Sequence, residues 1–302
     1  MNPRFAFLGT PPFAATVLQG LLDQGWMPTL VISEPAKPVG RNQQLKQSAV
    51  SELAKQHELS LITPHTKDEI ASVLRPLELD LAIVVAYGKI IPEAAIAIPK
   101  HGIVNVHASL LPKYRGASPI QAALLAGDRQ TGITYMLIEP TLDTGPMLKQ
   151  IIHPITPTTT SQQLFEELAA VAAETIVPTL NSYLNNTLVP IKQDGGGASY
   201  TSKLNREDGQ VEFQNISPIA LDRLVRAYTP WPGVYTLEFD QRLLIRKGHL
   251  AGKVYAIDEL QWEGKKPVDS QTFARAYPDI LTRLPQTITL ATPRNPISGS
   301  ND

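Results

Sequence analysis

The 302-residue sequence contains no cysteine. Disulfide bonds, thiolate-ligated zinc and a thiol nucleophile are thereby excluded together. A chain without a disulfide framework suits a reducing compartment. Long apolar runs are lacking too. The opening "MNPRFAFLGT" is apolar for only about six residues, too few for a signal peptide. No stretch approaches the roughly 18 apolar residues of a membrane helix. These absences predict a cytoplasmic protein that does not enter a membrane. Charge of one sign is scarce as well, since 27 basic and 28 acidic side chains leave a net charge of -1. Any nucleic-acid contact must therefore come from a local patch. Three signatures are also missing. The scattered His57, His65, His101, His153 and His249 show no metal-ligand spacing, so no metal is expected. Ser109 has no Gly-x-Ser-x-Gly setting. "FLGTPPFA" (7–14) offers one glycine where a dinucleotide-binding loop has three.

The chain does have an ordinary globular composition, 43% hydrophobic and 18% charged. Its length exceeds one hydrophobic core and predicts two domains. The first half alternates. Apolar runs at 4–9, 28–34, 59–63, 79–88, 102–109 and 132–139 read as strands. Helical spacing occupies 12–26, 48–58, 67–75 and 119–127 between them, and 161–184 reads as a long helix. This alternation predicts an α/β fold with a doubly wound, mostly parallel sheet covered on both faces. "MLKQIIHPI" (147–155) adds a candidate antiparallel strand. "QDGGGASYTSKLNREDGQ" (193–210) is rich in Gly, Ser and charge and reads as a boundary. Short β-like runs follow it, and "TPRNPISGSND" reads as a disordered tail.

One strand breaks its own pattern. "GIVNVHAS" (102–109) carries Asn105 and His107, two polar residues of the same parity and hence on one face of the sheet. Each alone is accounted for equally well by a satisfied core histidine or a turn-forming asparagine. Together they stand at the carboxyl end of a strand, where open parallel sheets bind ligands. Asp143, in "EPTLDTGPML" (139–148), can approach from the next strand end, with Glu139 as the rival carboxylate. A carboxylate beside an imidazole orients the ring and favours its protonated form. An amide N–H and an imidazolium both donate to a developing oxyanion, and the histidine can also move a proton. This set lacks a nucleophile. It suits acyl transfer made directly to an amine.

"NVHASLLPKYRGASPIQAALLAGDRQTGIT" followed by "LDTGPML" resembles the folate-dependent formyltransferases. The resemblance implies a parallel α/β domain that binds 10-formyltetrahydrofolate as co-substrate. It implies catalytic roles for Asn105, His107 and Asp143, and a folate-binding turn at Ser109, Leu110, Leu111 and Pro112. "VVAYGKIIP" (84–92) matches the wall of the folate pocket. The polar loop "PAKPVGRNQQLKQSAV" (35–50) carries Lys37, Arg41 and Lys46 with no acidic residue. By composition it is a solvated surface loop. It also resembles the inserted loop of the tRNA-acting branch, which reaches the acceptor end of the tRNA. "LDRLVRAYTPWPGVY" (221–235) and "WEGKKPVDSQTF" (262–273) resemble that branch's second, OB-like domain. The implied organisation is a catalytic domain over 1–190, a linker over 191–205, an OB-like tRNA-binding domain over 206–290 and a tail over 291–302. The implied reaction is formyl transfer to the α-amino group of initiator methionyl-tRNA by a monomer. The alternatives are an amino sugar nucleotide as acceptor, the purine-pathway branch, which lacks the second domain, and a catalytically idle folate- or RNA-binding homologue. Two positions depart from the family. Pro12 replaces an acidic residue, so no side-chain contact is carried over there, and Phe213 replaces a tryptophan.

Overall fold

The computed structural model describes residues 2–39, 43–237 and 241–291. The chain forms two compact units. One comprises Met1–Pro119, Arg129–Ile155 and Gln163–Ser202, and the other Ile120–Asp128, Thr156–Gln162 and Lys203–Asp302.

The strands up to residue 201 are β1 (Phe5–Gly9), β2 (Leu30–Ile32), β3 (Lys37–Val39), β4 (Gln44–Lys46), β5 (Leu61–Ile62), β6 (Leu81–Val85), β7 (Ile103–His107), β8 (Arg115–Gly116), β9 (Gln130–Leu137), β10 (Met147–Pro154) and β11 (Tyr200–Thr201). The helices are α1 (Pro12–Asp23), α2 (Ala49–Gln56), α3 (Asp68–Leu74), α4 (Glu93–Ile96), α5 (Pro119–Ala126) and α6 (Ser161–Leu184). Seven strands form one sheet in the order β10-β9-β7-β6-β1-β2-β5. From β5 to β7 the pairing is parallel; β9 is antiparallel to β7, and β10 to β9. Apolarity alone did not signal the reversal at β9, because a strand buried on both faces reads the same in either direction.

The register places the polar residues. One row across the sheet runs Leu30, Ala6, Ala82, Ile103, and the next runs Ile32, Leu8, Val84, Asn105. Apart from Asn105 these residues are buried together with Ile70, Ala71 and Leu74 of α3. Asn105 thus ends an apolar row, and His107 lies one row further toward the carboxyl edge, opposite Thr134. The other face meets α6, since the Tyr135 hydroxyl donates to the Ala172 carbonyl oxygen at 3.0 Å. Burial pushes the Tyr135 hydroxyl pKa well up. Along α6, Leu164, Leu168, Ala172, Ile176 and Leu180 recur every four residues and are buried. A Cβ on Gly20 of α1 would lie 2.6 Å from that of Ala173, so glycine sets the spacing of those two helices.

The second unit contains α7 (Pro218–Tyr228), α8 (Ser270–Ala276) and α9 (Pro278–Arg283) with β12 (Val234–Thr236), β13 (Leu243–Ala251), β14 (Val254–Trp262), β15 (Val268–Asp269) and β16 (Ile288–Leu290). Strands β12 to β15 pair antiparallel in sequence order, and β16 joins β14 in parallel. Phe213 is fully buried, so its exchange for the family's tryptophan is a change in packing. Among the described residues no helix is long and apolar enough to cross a membrane.

Asp80 ties together the amino ends of three elements. Its carboxylate accepts from the Arg4 N–H at 2.8 Å and from Lys100 Nζ at 3.0 Å. Its own carbonyl oxygen accepts from the His101 N–H at 2.7 Å. The Arg4 N–H, then the Lys100 ammonium, hold the Asp80 pKa below its ordinary value. The sign follows from that depression: the stabilisation is complete above the unfolded pKa of about 3.9 and is lost as pH falls through the lower native value. Asp80→Ala is expected to cost about 1–2 kcal/mol in urea denaturation at neutral pH. The difference from wild type should shrink toward zero as the medium is acidified below about pH 4.

Candidate active site

Asn105 and His107 leave the end of β7 on one face, as their parity predicts. Their surroundings differ. Asn105 is half-buried, and its amide has no hydrogen-bond partner among the described residues. His107 is 6% exposed, and its Nε2 lies 2.9 Å from the Tyr114 carbonyl oxygen. A carbonyl can only accept, so Nε2 carries the proton of that bond. Nδ1 faces Asp143 Oδ2 at 3.8 Å, which is close for a charge pair and too long for a hydrogen bond. The carboxylate expected to orient the ring therefore does not bond it. The Tyr114 carbonyl orients it, and Asp143 supplies charge beside the free nitrogen. No sequence signal singles out a backbone carbonyl for this role.

Asp143 is itself held closely. Its Oδ2 accepts the Gly116 N–H at 2.7 Å, and its backbone is left-handed with φ 50°. Gly116 has φ +109°, and a Cβ there would lie 2.1 Å from the Thr201 carbonyl oxygen. Only glycine fits, because β8 pairs in parallel with β11 at this point. A Cβ on Gly145 would lie 1.9 Å from the Leu137 carbonyl oxygen, so that glycine lets the Asp143 loop fold back onto the end of β9. Glu139, the rival carboxylate, is exposed.

The turn after His107 is built around Thr134. The Thr134 hydroxyl donates to the Ser109 carbonyl oxygen at 2.6 Å and accepts from the Leu111 N–H at 3.1 Å. It also accepts from Gln150 Nε2 at 3.0 Å, and the same amide donates to the Leu111 carbonyl oxygen at 2.8 Å. Ser109 Oγ closes the turn by donating to the Lys113 carbonyl oxygen at 2.6 Å. Ser109 and Leu111 are buried, and Leu110 and Pro112 remain half-exposed. The outer face of this turn is therefore the part open to a ligand.

The 84–92 segment turns sharply, with positive φ at Ala86 (44°) and Gly88 (88°). Thr10 Oγ1 holds it by donating to the Tyr87 carbonyl oxygen at 2.8 Å. Tyr87 is buried with its hydroxyl unpartnered, and this burial, ahead of the nearby Glu34 and Glu69 charges, pushes its pKa up to about 12. Within the polar loop β3 pairs antiparallel with β4. Lys37 pairs with Glu34 at 2.6 Å, just outside the stretch that lacks acidic residues. Lys46 is exposed, and Arg41 lies outside the described residues. Among the described residues no three His, Asp or Glu side chains converge as metal ligands.

Sequence inspection left the role of Arg115 open and missed Gln193, and both are buried at the site. Arg115 is 5% exposed, and it donates through Nε at 3.2 Å and Nη2 at 2.7 Å to Gln193 Oε1. Gln193 comes from the 191–205 segment that composition marks as a linker, yet it is 7% exposed. A lone glutamine in a Gly- and Ser-rich run gives no signal of burial.

A profile described as "Formyl transferase" matches residues 3–180, and one described as "Formyl transferase, C-terminal domain" matches residues 203–254. The methionyl-tRNA formyltransferase of Geobacter sulfurreducens is 37% identical over 302 aligned residues, covering 91% of this chain and 94% of that protein. That of Thiobacillus denitrificans is 44% identical over 236 residues, covering 78% of this chain and 75% of that protein. Among solved structures, the N-formyltransferase of Helicobacter canadensis, in complex with folinic acid and dTDP-3-aminofucose, aligns with a TM-score of 0.66. It covers 89% of this chain and 99% of that one at 19% identity, a likeness of fold.

Thr134→Val removes the hydroxyl at nearly constant volume and leaves the buried Leu111 N–H without an acceptor. The expected cost is about 1–3 kcal/mol, read from urea denaturation. A Thr134→Ser variant, which keeps the hydroxyl, should recover most of it.

Proposed function

The chain belongs to the formyl transferase family, and on that premise we propose that it formylates the α-amino group of initiator methionyl-tRNA, using 10-formyltetrahydrofolate as donor. One observation carries the choice of acceptor: identity of 37% with a methionyl-tRNA formyltransferase across nine-tenths of both chains. The amino-sugar reading draws on a fold neighbour at 19% identity, which bears on architecture alone. The enzyme acts as a cytoplasmic monomer, and the unit containing α7 and β12 to β16 helps hold the tRNA. Of the polar loop 35–50, Lys37, Arg41 and Lys46 supply phosphate contacts, with Lys37 exchanging its Glu34 partner for the nucleic acid.

The donor lies along the exposed side of the Leu110–Pro112 turn, with its formyl carbon before Asn105 and His107. A new C–N bond forms from the neutral amine to the formyl carbon, and the bond from that carbon to folate N10 breaks. Asn105 is suited to the oxyanion because its amide has no partner to give up among the described residues. His107 Nδ1, the ring nitrogen without a hydrogen bond, delivers the proton that N10 needs to leave, and the amine's proton restores the balance. The Tyr114 carbonyl holds Nε2 throughout, so the ring stays in place while Nδ1 cycles. Asp143 acts through His107 by stabilising its cationic form across the 3.8 Å gap.

In a formylation assay with charged initiator tRNA, Asn105→Ala, His107→Ala and Asp143→Ala are each expected to lower kcat by about 100-fold or more. Wild-type rates in both His107→Ala and Asp143→Ala would rule out the mechanism. Parallel reactions with an amino sugar nucleotide and with no acceptor test the substrate. Formylation of the sugar alone would replace this acceptor, and folate binding without turnover would mark a binding protein.

A further inference from the structure

Arg115 is buried, and no carboxylate among the described residues pairs with it. Its guanidinium is instead given to neutral acceptors. Two of its nitrogens converge on Gln193 Oε1, and Nη1 donates to the Tyr200 hydroxyl at 3.0 Å. Burying a cation is costly, and a carboxylate would be the ordinary partner for it. A glutamine has one feature that a carboxylate lacks, which is a donor on its far side.

That donor is in use. Gln193 Nε2 donates to the Asp143 carbonyl oxygen at 2.9 Å and to the Gly145 carbonyl oxygen at 2.8 Å. The amide orientation is thereby fixed from both ends, since one side meets only donors and the other only acceptors. The two carbonyls bracket the left-handed turn that aims the Asp143 carboxylate at Gly116 N–H and toward His107. Anchoring of the 193–202 segment does not depend on Gln193. The β8–β11 pairing and the Tyr114 N–H to Ser199 Oγ bond, at 2.9 Å, already secure it.

We infer that Gln193, clamped by Arg115, is a positioning residue that fixes the Asp143 loop for the transfer step. It touches neither substrate and acts through Asp143. The inference rests on the role proposed for Asp143 above.

Gln193→Glu tests it directly. The carboxylate keeps an acceptor for Arg115, so the buried cation stays paired and the fold is retained, but both N–H donors to the loop are gone. Gln193→Met, of similar length and without donors, is the second variant. Formylation of charged initiator tRNA is measured for wild type, Asp143→Ala, each Gln193 variant, and each combined with Asp143→Ala. Either Gln193 substitution should lower kcat by about tenfold to 100-fold, with the folate KM within about threefold of wild type. In the Asp143→Ala background the further loss should be under about twofold, because the group being positioned is already absent. A purely structural role would instead give the same loss in both backgrounds, and that result overturns the inference. So does a wild-type kcat in Gln193→Glu. An inactive wild type, or Asp143→Ala as fast as wild type, refutes the reading of the site itself.

Discussion

The bond from the Gly116 N–H to the Asp143 carboxylate is where the local structure of the site converges. For it to form, residue 116 must sit at φ +109°, with no room for a side chain beside Thr201. The Asp143 backbone must also enter the left-handed region, and the loop must fold back over Leu137 where Gly145 leaves space. Three parts of the chain, at 115–116, 143–145 and 200–201, thus meet at one carboxylate. A charge-assisted bond of this kind is worth about 1.5–3 kcal/mol, enough to hold a short loop and too little to force it there alone. The β8–β11 pairing and the buried amide of Gln193 supply the rest.

Most of the fold was legible because its signals are periodic. The apolar runs became the strands of the large sheet, and the parity of Asn105 and His107 placed both on one face. The reversal at β9 was not legible, since Tyr135 and Met136 would be buried in either direction. Asn105, His107 and Asp143 were singled out through resemblance to a family. Their geometry was not legible, because the group that orients His107 is the Tyr114 carbonyl, and every residue has a carbonyl. The 191–205 segment, read as a linker, also holds a residue that its composition could not single out. Composition reports the average of a stretch, and here one buried glutamine sits among exposed glycines. Lys37 shows the same limit from the other side, because the acidic partner of its loop, Glu34, lies at the end of β2's connection.

The geometry also separates two duties that a catalytic histidine is often given through one partner. Orientation comes from a neutral carbonyl on Nε2 and charge from a carboxylate opposite Nδ1. Had Asp143 bonded Nδ1 directly, that nitrogen would have been occupied and the ring would offer no free site for a proton. The 3.8 Å gap retains much of the Coulomb attraction, which falls only as the inverse of distance. A hydrogen bond falls off far more steeply. A carboxylate held just beyond bonding range therefore leaves the nitrogen available for the proposed proton transfer.

This arrangement places its demand on rigidity. In the proposed direct transfer, with no covalent enzyme intermediate, donor and acceptor must be bound together, so the rate depends on how closely the reacting groups are held. The Thr134 hub fixes the turn proposed to carry the donor, and the Arg115–Gln193 pair grips the loop beside the histidine. Both are buried and reach main chain: Thr134 bonds Ser109 and Leu111, and Gln193 bonds the Asp143 and Gly145 carbonyl oxygens. Such groups hold main chain in position and leave nearby side chains free to change partners. Asn105 is the counterpart: half-buried and without a side-chain hydrogen bond among the described residues, it has nothing to break in the proposed formation of an oxyanion. The division between bonded scaffold and unbonded amide is what the chemistry requires, since a donor already satisfied by protein would have to be released during the reaction.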